Sequence, residues 1–222
     1  MLRYLIFAAL AIMATPMALA QNASADRDLL AAAERGDAAG AQTALAAGAN
    51  PNARDTAQRT ALIVTGENGA IAVARLLIAA RADVNIRDNR AYDALTQAAA
   101  RGDHALVGVL LDAGADVTII TSPYRGTALI AAAHHEHVEA IRLLLAKKPP
   151  IDHVNNLGWT ALMEAIVLGD GGPRHTETLR VLLAAGANPN IADRDGVTPL
   201  GQAKRRGFAE MVKVLETAGA KR

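Results

Sequence analysis

Apolar pairs recur along the chain at a nearly fixed interval: Leu77-Ile78, Leu110-Leu111, Leu144-Leu145 and Leu182-Leu183. Alanine runs at 31–33, 98–100 and 131–133 precede them or fall between them. One position between the two patterns holds Gly36, Gly69, Gly102, Glu136, Gly169 and Gly207, spaced by 33, 33, 34, 33 and 38 residues. A repeat of this length is one supersecondary unit, which buries its apolar face only by stacking on its neighbours. The pattern predicts an all-α chain of six helix-turn-helix repeats with projecting turns. They lie near residues 28–55, 56–88, 89–120, 121–156, 157–193 and 194–222, after a short lead at 21–27. In each repeat an alanine-rich first helix lies close to its neighbours, and a leucine-rich second helix fills the core.

Local signals fix the ends of these helices. Thr60, Thr127, Thr160 and Thr198 stand where a first helix needs an N-cap acceptor. Pro199 follows at the first helical position, where its missing N–H costs nothing. The shared glycine ends the first helix in the left-handed conformation. Gly48-Ala49, Gly114-Ala115, Gly186-Ala187 and Gly219-Ala220 close the second helix. Asn52, Asp55, Asn85, Asp88, Asn190 and Asp193 follow as turn residues. With "DGVTPLGQA" (195–203) and "LLDAGADV" (110–117), residues 28–222 resemble the ankyrin repeat family. The resemblance implies an ankyrin solenoid that binds a protein partner on a concave face of turn tips and first helices.

The N-terminus reads as an export signal. Arg3 supplies a positive start, Leu5–Met13 an apolar stretch, and Ala18-Leu19-Ala20 a small-x-small cleavage site before Gln21. The apolar stretch is shorter than the ~20 residues of a membrane span, so no stable anchor is expected after cleavage. Removing Arg3 from 23 basic and 22 acidic residues leaves 22 of each. That balance gives no basic patch for nucleic acid. Without cysteine, disulfides and thiolate chemistry are excluded. The expected location is the periplasm, with secretion as the alternative, and the expected state is a monomer.

Two stretches suggest chemistry. "VLGDGGPRHTETLRVLL" (167–183) has the glycines of a phosphate loop, but a helix precedes it, no lysine follows, and Asp170 would repel an anion. Asp170–Arg174 is instead a five-residue insertion, a longer loop between the helices of the fifth repeat, with Pro173 leading into the second. "AAAHHEHVEAIRLLL" (131–145) holds three histidines in four positions, and such tracts suggest metal or haem. Glu136 stands at the glycine position, which breaks the helix between His134 and His137, so a shared face is not expected. His153 and His175 are the additional candidate ligands. A non-glycine residue in the left-handed region costs about 1 kcal/mol, which makes Glu136 a strained position. No hydrolase or metalloprotease motif appears, so no catalysis and no cofactor are expected.

Aromatics are scarce. Tyr4 and Phe7 fall in the leader, and Phe208 opens the last helix. Tyr92, Tyr124 and Trp159 lie in successive turns and read as a contact strip, since Trp and Tyr are common interface anchors. By alignment with the family's contact positions, the resemblance adds Arg59, Arg90, Arg101, Arg125, His134, His135, Arg205 and Arg206. The function implied is a periplasmic interaction module or scaffold, with a link to peroxide defence through catalases implied by analogy with exported relatives. The alternatives are a histidine-based metal or haem carrier and a secreted effector acting on a host protein.

Overall fold

The computed structural model describes residues 16–221. Among these residues there are twelve helices and no strands, only two isolated bridges that close turns, Arg54–Thr60 and Thr121–Gly126. The helices pair as α1 (Pro16–Arg35) with α2 (Ala38–Ala46), α3 (Ala61–Asn68) with α4 (Ile71–Ala79), and α5 (Ala94–Arg101) with α6 (His104–Asp112). They continue as α7 (Ala128–His134) with α8 (Val138–Ala146), α9 (Ala161–Val167) with α10 (Pro173–Ala184), and α11 (Pro199–Arg205) with α12 (Ala209–Thr217). The first helices stack in one row and the second helices in another. The export signal expected at 1–20 rests mostly on residues outside the described part. α1 starts at Pro16 and runs through the expected cleavage site and lead.

The alanine runs allow the close approach of the first row: Ala32, Ala33, Ala98, Ala99, Ala132 and Ala133 are fully buried. Leu77, Leu110, Leu144 and Leu182 fill the space between the rows. The threonine caps are formed as expected, each hydroxyl accepting a backbone N–H three residues on. In the third repeat the cap is Asp93, which accepts from the Thr96 N–H at 2.7 Å. A cap of this kind contributes about 1 kcal/mol.

Gly36, Gly69, Gly102 and Gly207 take the left-handed conformation, and Glu136 takes it too, at φ 53°. Gly169 does not. In the fifth repeat the left-handed glycine is Gly171, at φ 76°. The insertion moves the break, and it is not all loop: Pro173 and Arg174 belong to α10, which is 12 residues long where its counterparts have 9.

Side chains also tie the loops after the second helices into a ladder. The N–H of Asn50, Asp83, Asp116, Asn188 and Lys221 donates to the side-chain oxygen of Asp26, Asn52, Asn85, Asp152 and Asn190 respectively. Between the third and fourth repeats the corresponding positions are Thr118 and Pro150, and proline has no N–H to give. The turn tips form a second ladder that continues through this junction: Asn89 N–H to Ala57 O, Ser122 N–H to Ala91 O, and Asn156 N–H to Tyr124 O.

Candidate functional site

The turn before each first helix follows one plan. An Asp or Asn carboxyl or amide oxygen accepts the N–H four residues on, as in Asp55–Arg59, Asp88–Tyr92, Asn155–Trp159 and Asp193–Val197. The last residue of each pair then stands directly before the helix cap. The fourth repeat departs from this plan. Its turn is closed by the Thr121 N–H donating to Gly126 O, one residue further on. This extra residue accounts for the spacing of 34. It pushes Tyr124 out to the tip, where it is 55% exposed, and leaves Gly126 at the position held elsewhere by Arg59, Tyr92, Trp159 and Val197.

A pocket follows from this substitution. Counting four residues from each cap gives Val64, Gln97, Ala131, Glu164 and Gln202; counting seven gives Glu67, Ala100, His134, Val167 and Arg205. Gly126, Ala131 and Ala100 are therefore small where other repeats are large, and all three line one pocket. The space left is a cavity of about 530 Å³, with Tyr92, Tyr124, Trp159 and Leu157 around it. His134, His135 and Glu164 are its ionisable lining besides the tyrosines. A volume of this size is typical of ligand pockets.

Glu164 is the least expected member. It is 4% exposed. Its Oε1 lies 3.1 Å from His134 Nδ1, and its Oε2 accepts from Asn155 Nδ2 at 3.3 Å. Burial raises its carboxyl above the ordinary range, against the lowering effect of these two bonds. Burial, and then the neighbouring His134 and His137, pushes His135 down. Thr96 Oγ1 donates to Thr121 Oγ1 at 3.0 Å, closing the pocket floor between two repeats.

The structure brings together five of the residues expected to contact a partner: Tyr92, Tyr124, Trp159, His134 and His135. Arg90 stands over the Tyr92 ring at 5.2 Å, and exposed Arg125 follows Tyr124 at the tip. Arg101 ends α5, next to pocket residue Ala100. Arg59 is elsewhere, held by Asp55, Glu67 and Glu34 at 2.7, 2.7 and 3.2 Å. Arg205 and Arg206 lie at the end of α11, with Arg206 6.0 Å from the Phe208 ring. The pocket residues that sequence reasoning missed are Glu164, Asn155, Gly126 and Ala131. Their signal was the comparison of equivalent positions across the repeats.

The rings of His134, His135 and His137 lie side by side, with successive centroids 4.3 and 5.9 Å apart, but His134 and His137 bond to different partners. His137 Nε2 lies 3.0 Å from Ala100 O, and His153 Nε2 lies 2.7 Å from Arg125 O. Buried His175 Nδ1 lies 3.1 Å from Asp170 and 3.2 Å from Glu136. Among the described residues no group of three or more His, Cys, Asp or Glu is placed to hold a metal ion. Glu136 thus makes a contact that offsets its strained backbone, and Asp170 ties the insertion to α10. Gly171 lies directly against the Phe208 ring, which seats the insertion on the sixth repeat.

Comparison with known proteins gives the same architecture. A family model described as ankyrin repeats (3 copies) matches residues 29–121 and 95–193, and one described as ankyrin repeats (many copies) matches 173–216. The ankyrin repeat protein YahD of Escherichia coli K12 is 40% identical over 98 residues, 44% of this chain and 49% of YahD. The match therefore spans about half the length of that relative. The crystal structure of an ankyrin repeat domain from Acinetobacter baumannii AYE superposes with a TM-score of 0.82 at 44% identity, covering 87% of this chain and 98% of that one. A chain from the complex of the Bd0816 predatory endopeptidase of Bdellovibrio bacteriovorus with immunity protein Bd3460 superposes with a TM-score of 0.75 at 25% identity, covering 86% and 97%. Among the described residues no helix is long and apolar enough to cross a membrane. By its period, its paired helices and these matches, the chain belongs to the ankyrin repeat family.

Proposed function

We propose that this protein is an exported, non-catalytic binding module that holds a protein partner in the pocket formed by its third, fourth and fifth repeats. The observation that carries the reading is the pocket itself. A chain with six aromatic residues places three of them around one concave cavity, formed where a single repeat has Gly126 and Ala131 in place of larger side chains. Large rings around a desolvated depression are the usual anchor of a protein interface. One structural neighbour comes from an endopeptidase–immunity protein complex, which makes a protein a fitting class of partner. The leader with its Ala18-Leu19-Ala20 site supports export, and the periplasm is the proposed location.

The test is capture from a periplasmic extract with the mature chain starting at Gln21, followed by titration of the captured protein against Ala131→Gln. That substitution installs the residue of the third and sixth repeats, so the fold is retained while the pocket is filled. Lost binding is expected, and unchanged binding would place the interface elsewhere. Purified catalase belongs in the same titration, because a peroxide-defence scaffold would bind it directly. N-terminal sequencing and cell fractionation test export: a chain still starting at Met1 contradicts cleavage, and protein found in the medium favours a secreted effector.

A further inference from the structure

The pocket has an acidic floor and aromatic walls, and the acid is peculiar to it. At the fourth residue after the cap the other repeats carry Val64, Gln97, Ala131 and Gln202; only the fifth has a carboxylate. Glu164 is almost wholly buried, yet no cationic side chain of lysine or arginine pairs with it. Its partners are the His134 imidazole and the uncharged Asn155 amide. Each carboxylate oxygen keeps a free lone pair, since an ionised carboxylate has about four acceptor sites. A buried charge with only a histidine and an amide beside it is costly, and a ligand that supplies a permanent cation binds with that cost relieved.

The walls suit the same ligand. Indole and phenol faces attract cations, and the protein already uses Tyr92 in this way, with the Arg90 guanidinium 5.2 Å from its ring. Exposed Arg90 and Arg125, close in sequence to Tyr92 and Tyr124, carry the opposite charge. Their field is weakened by water and salt, whereas Glu164 acts from a nearly water-free site, where a charge is felt several times more strongly. The floor therefore decides what enters.

We infer that the pocket receives a lysine or arginine side chain of the partner protein, its hydrocarbon stem between the rings and its cationic end on Glu164. The inference rests on the partner-binding reading above, but its test does not need the partner. Trp159 is the chain's one tryptophan, so its emission reports on the pocket alone. The probes are the Nα-acetyl methylamides of lysine, arginine, norleucine and glutamate, titrated into the full-length protein and followed by tryptophan emission and by NMR of the indole N–H.

A cation preference of about tenfold over the norleucine and glutamate probes is expected, a ratio equivalent to about 1.4 kcal/mol. Glu164→Gln should erase that preference while keeping its helical signal and cooperative melt, and Ala131→Gln should block every probe. Equal binding of the norleucine probe, stronger binding of the glutamate probe, or an intact preference in Glu164→Gln would each overturn the inference. The two readings fail separately. If the probes show no cation preference but Ala131→Gln still abolishes partner capture, the groove stands and the cation does not. If the probes behave as expected while capture is unaffected by Ala131→Gln, the pocket takes cations but is not the partner's seat.

Discussion

Replacing Gly171 by alanine tests the seat of the insertion on the last repeat. Two separate effects add at this position. The backbone is left-handed, at φ 76°, which costs an ordinary residue about 1–2 kcal/mol. A methyl group there would also stand 2.7 Å from Phe208 Cγ and 2.9 Å from Cε1, well inside contact distance. Relieving such overpacking typically costs a further ~1–3 kcal/mol. The expected loss is then about 2–5 kcal/mol, or roughly 4–20 °C in melting temperature for a chain of this size. Gly186 and Gly196 provide the control, because both are left-handed, at φ 95° and 71°, and neither has an atom within 4 Å of the added methyl. They should lose only the backbone part, about 1–2 kcal/mol. The assay is urea unfolding of the three variants beside the parent, followed by far-UV circular dichroism. Phe208→Ala should cost less in the Gly171→Ala background than in the parent, since the clash is with that ring. If Gly171→Ala is no worse than Gly186→Ala or Gly196→Ala, the ring is not seated on the insertion and the argument is wrong.

Three further outcomes follow from the site. Glu136→Gly relieves about 1–2 kcal/mol of left-handed strain, but loses about 0.5–1 kcal/mol to glycine's freedom in the unfolded chain and about 0.2–1 kcal/mol with the His175 contact. The change in unfolding free energy should therefore stay within about 1 kcal/mol of zero, and a larger stabilisation would show that the His175 contact contributes nothing. Glu164 is raised by burial, so the folded state holds its proton more tightly than the unfolded chain does, and ionisation at higher pH weakens the fold. Glu164→Gln should thus be more stable than the parent at pH 8, with an advantage that shrinks as pH falls toward about 4.3, the ordinary glutamate range; urea midpoints showing the opposite trend would refute the assignment. Tyr124→Ala removes an exposed ring and should change folding stability by no more than about 0.5 kcal/mol, while costing at least ~2 kcal/mol of partner affinity if the ring is an anchor; a melt and a titration on the same sample separate the two.

The repeat was legible in the sequence because its signals are local and recur. The threonine caps, the glycine column and the leucine pairs each act within a few residues, and each is repeated often enough to set the register. The insertion was only partly legible. Its length and position could be read by alignment, but not that Gly171 would take the left-handed turn in place of Gly169, since Gly169, Gly171 and Gly172 all offer that freedom in sequence. The pocket was half legible. Tyr92 and Trp159 announce themselves by type, whereas Glu164 looks like any surface carboxylate until its column is compared with Val64, Gln97, Ala131 and Gln202. Arg59 shows the opposite limit. The family resemblance made it an expected contact residue, but Asp55, Glu67 and Glu34 occupy its guanidinium in this chain.

The ladder of loops lacks one rung, where Pro150 faces Thr118. The packing of α6 on α8 and the Lys147–Asp112 pair still cross the junction, so what is missing is one fastening between the loops and not the contact between the repeats. The turn tips are fastened across the same junction by the Ser122–Ala91 bond. The aromatic pocket straddles this joint, with Tyr92 on one half and Trp159 on the other. A guest held between those two walls would add a fastening across the one junction where the loop ladder lacks its rung.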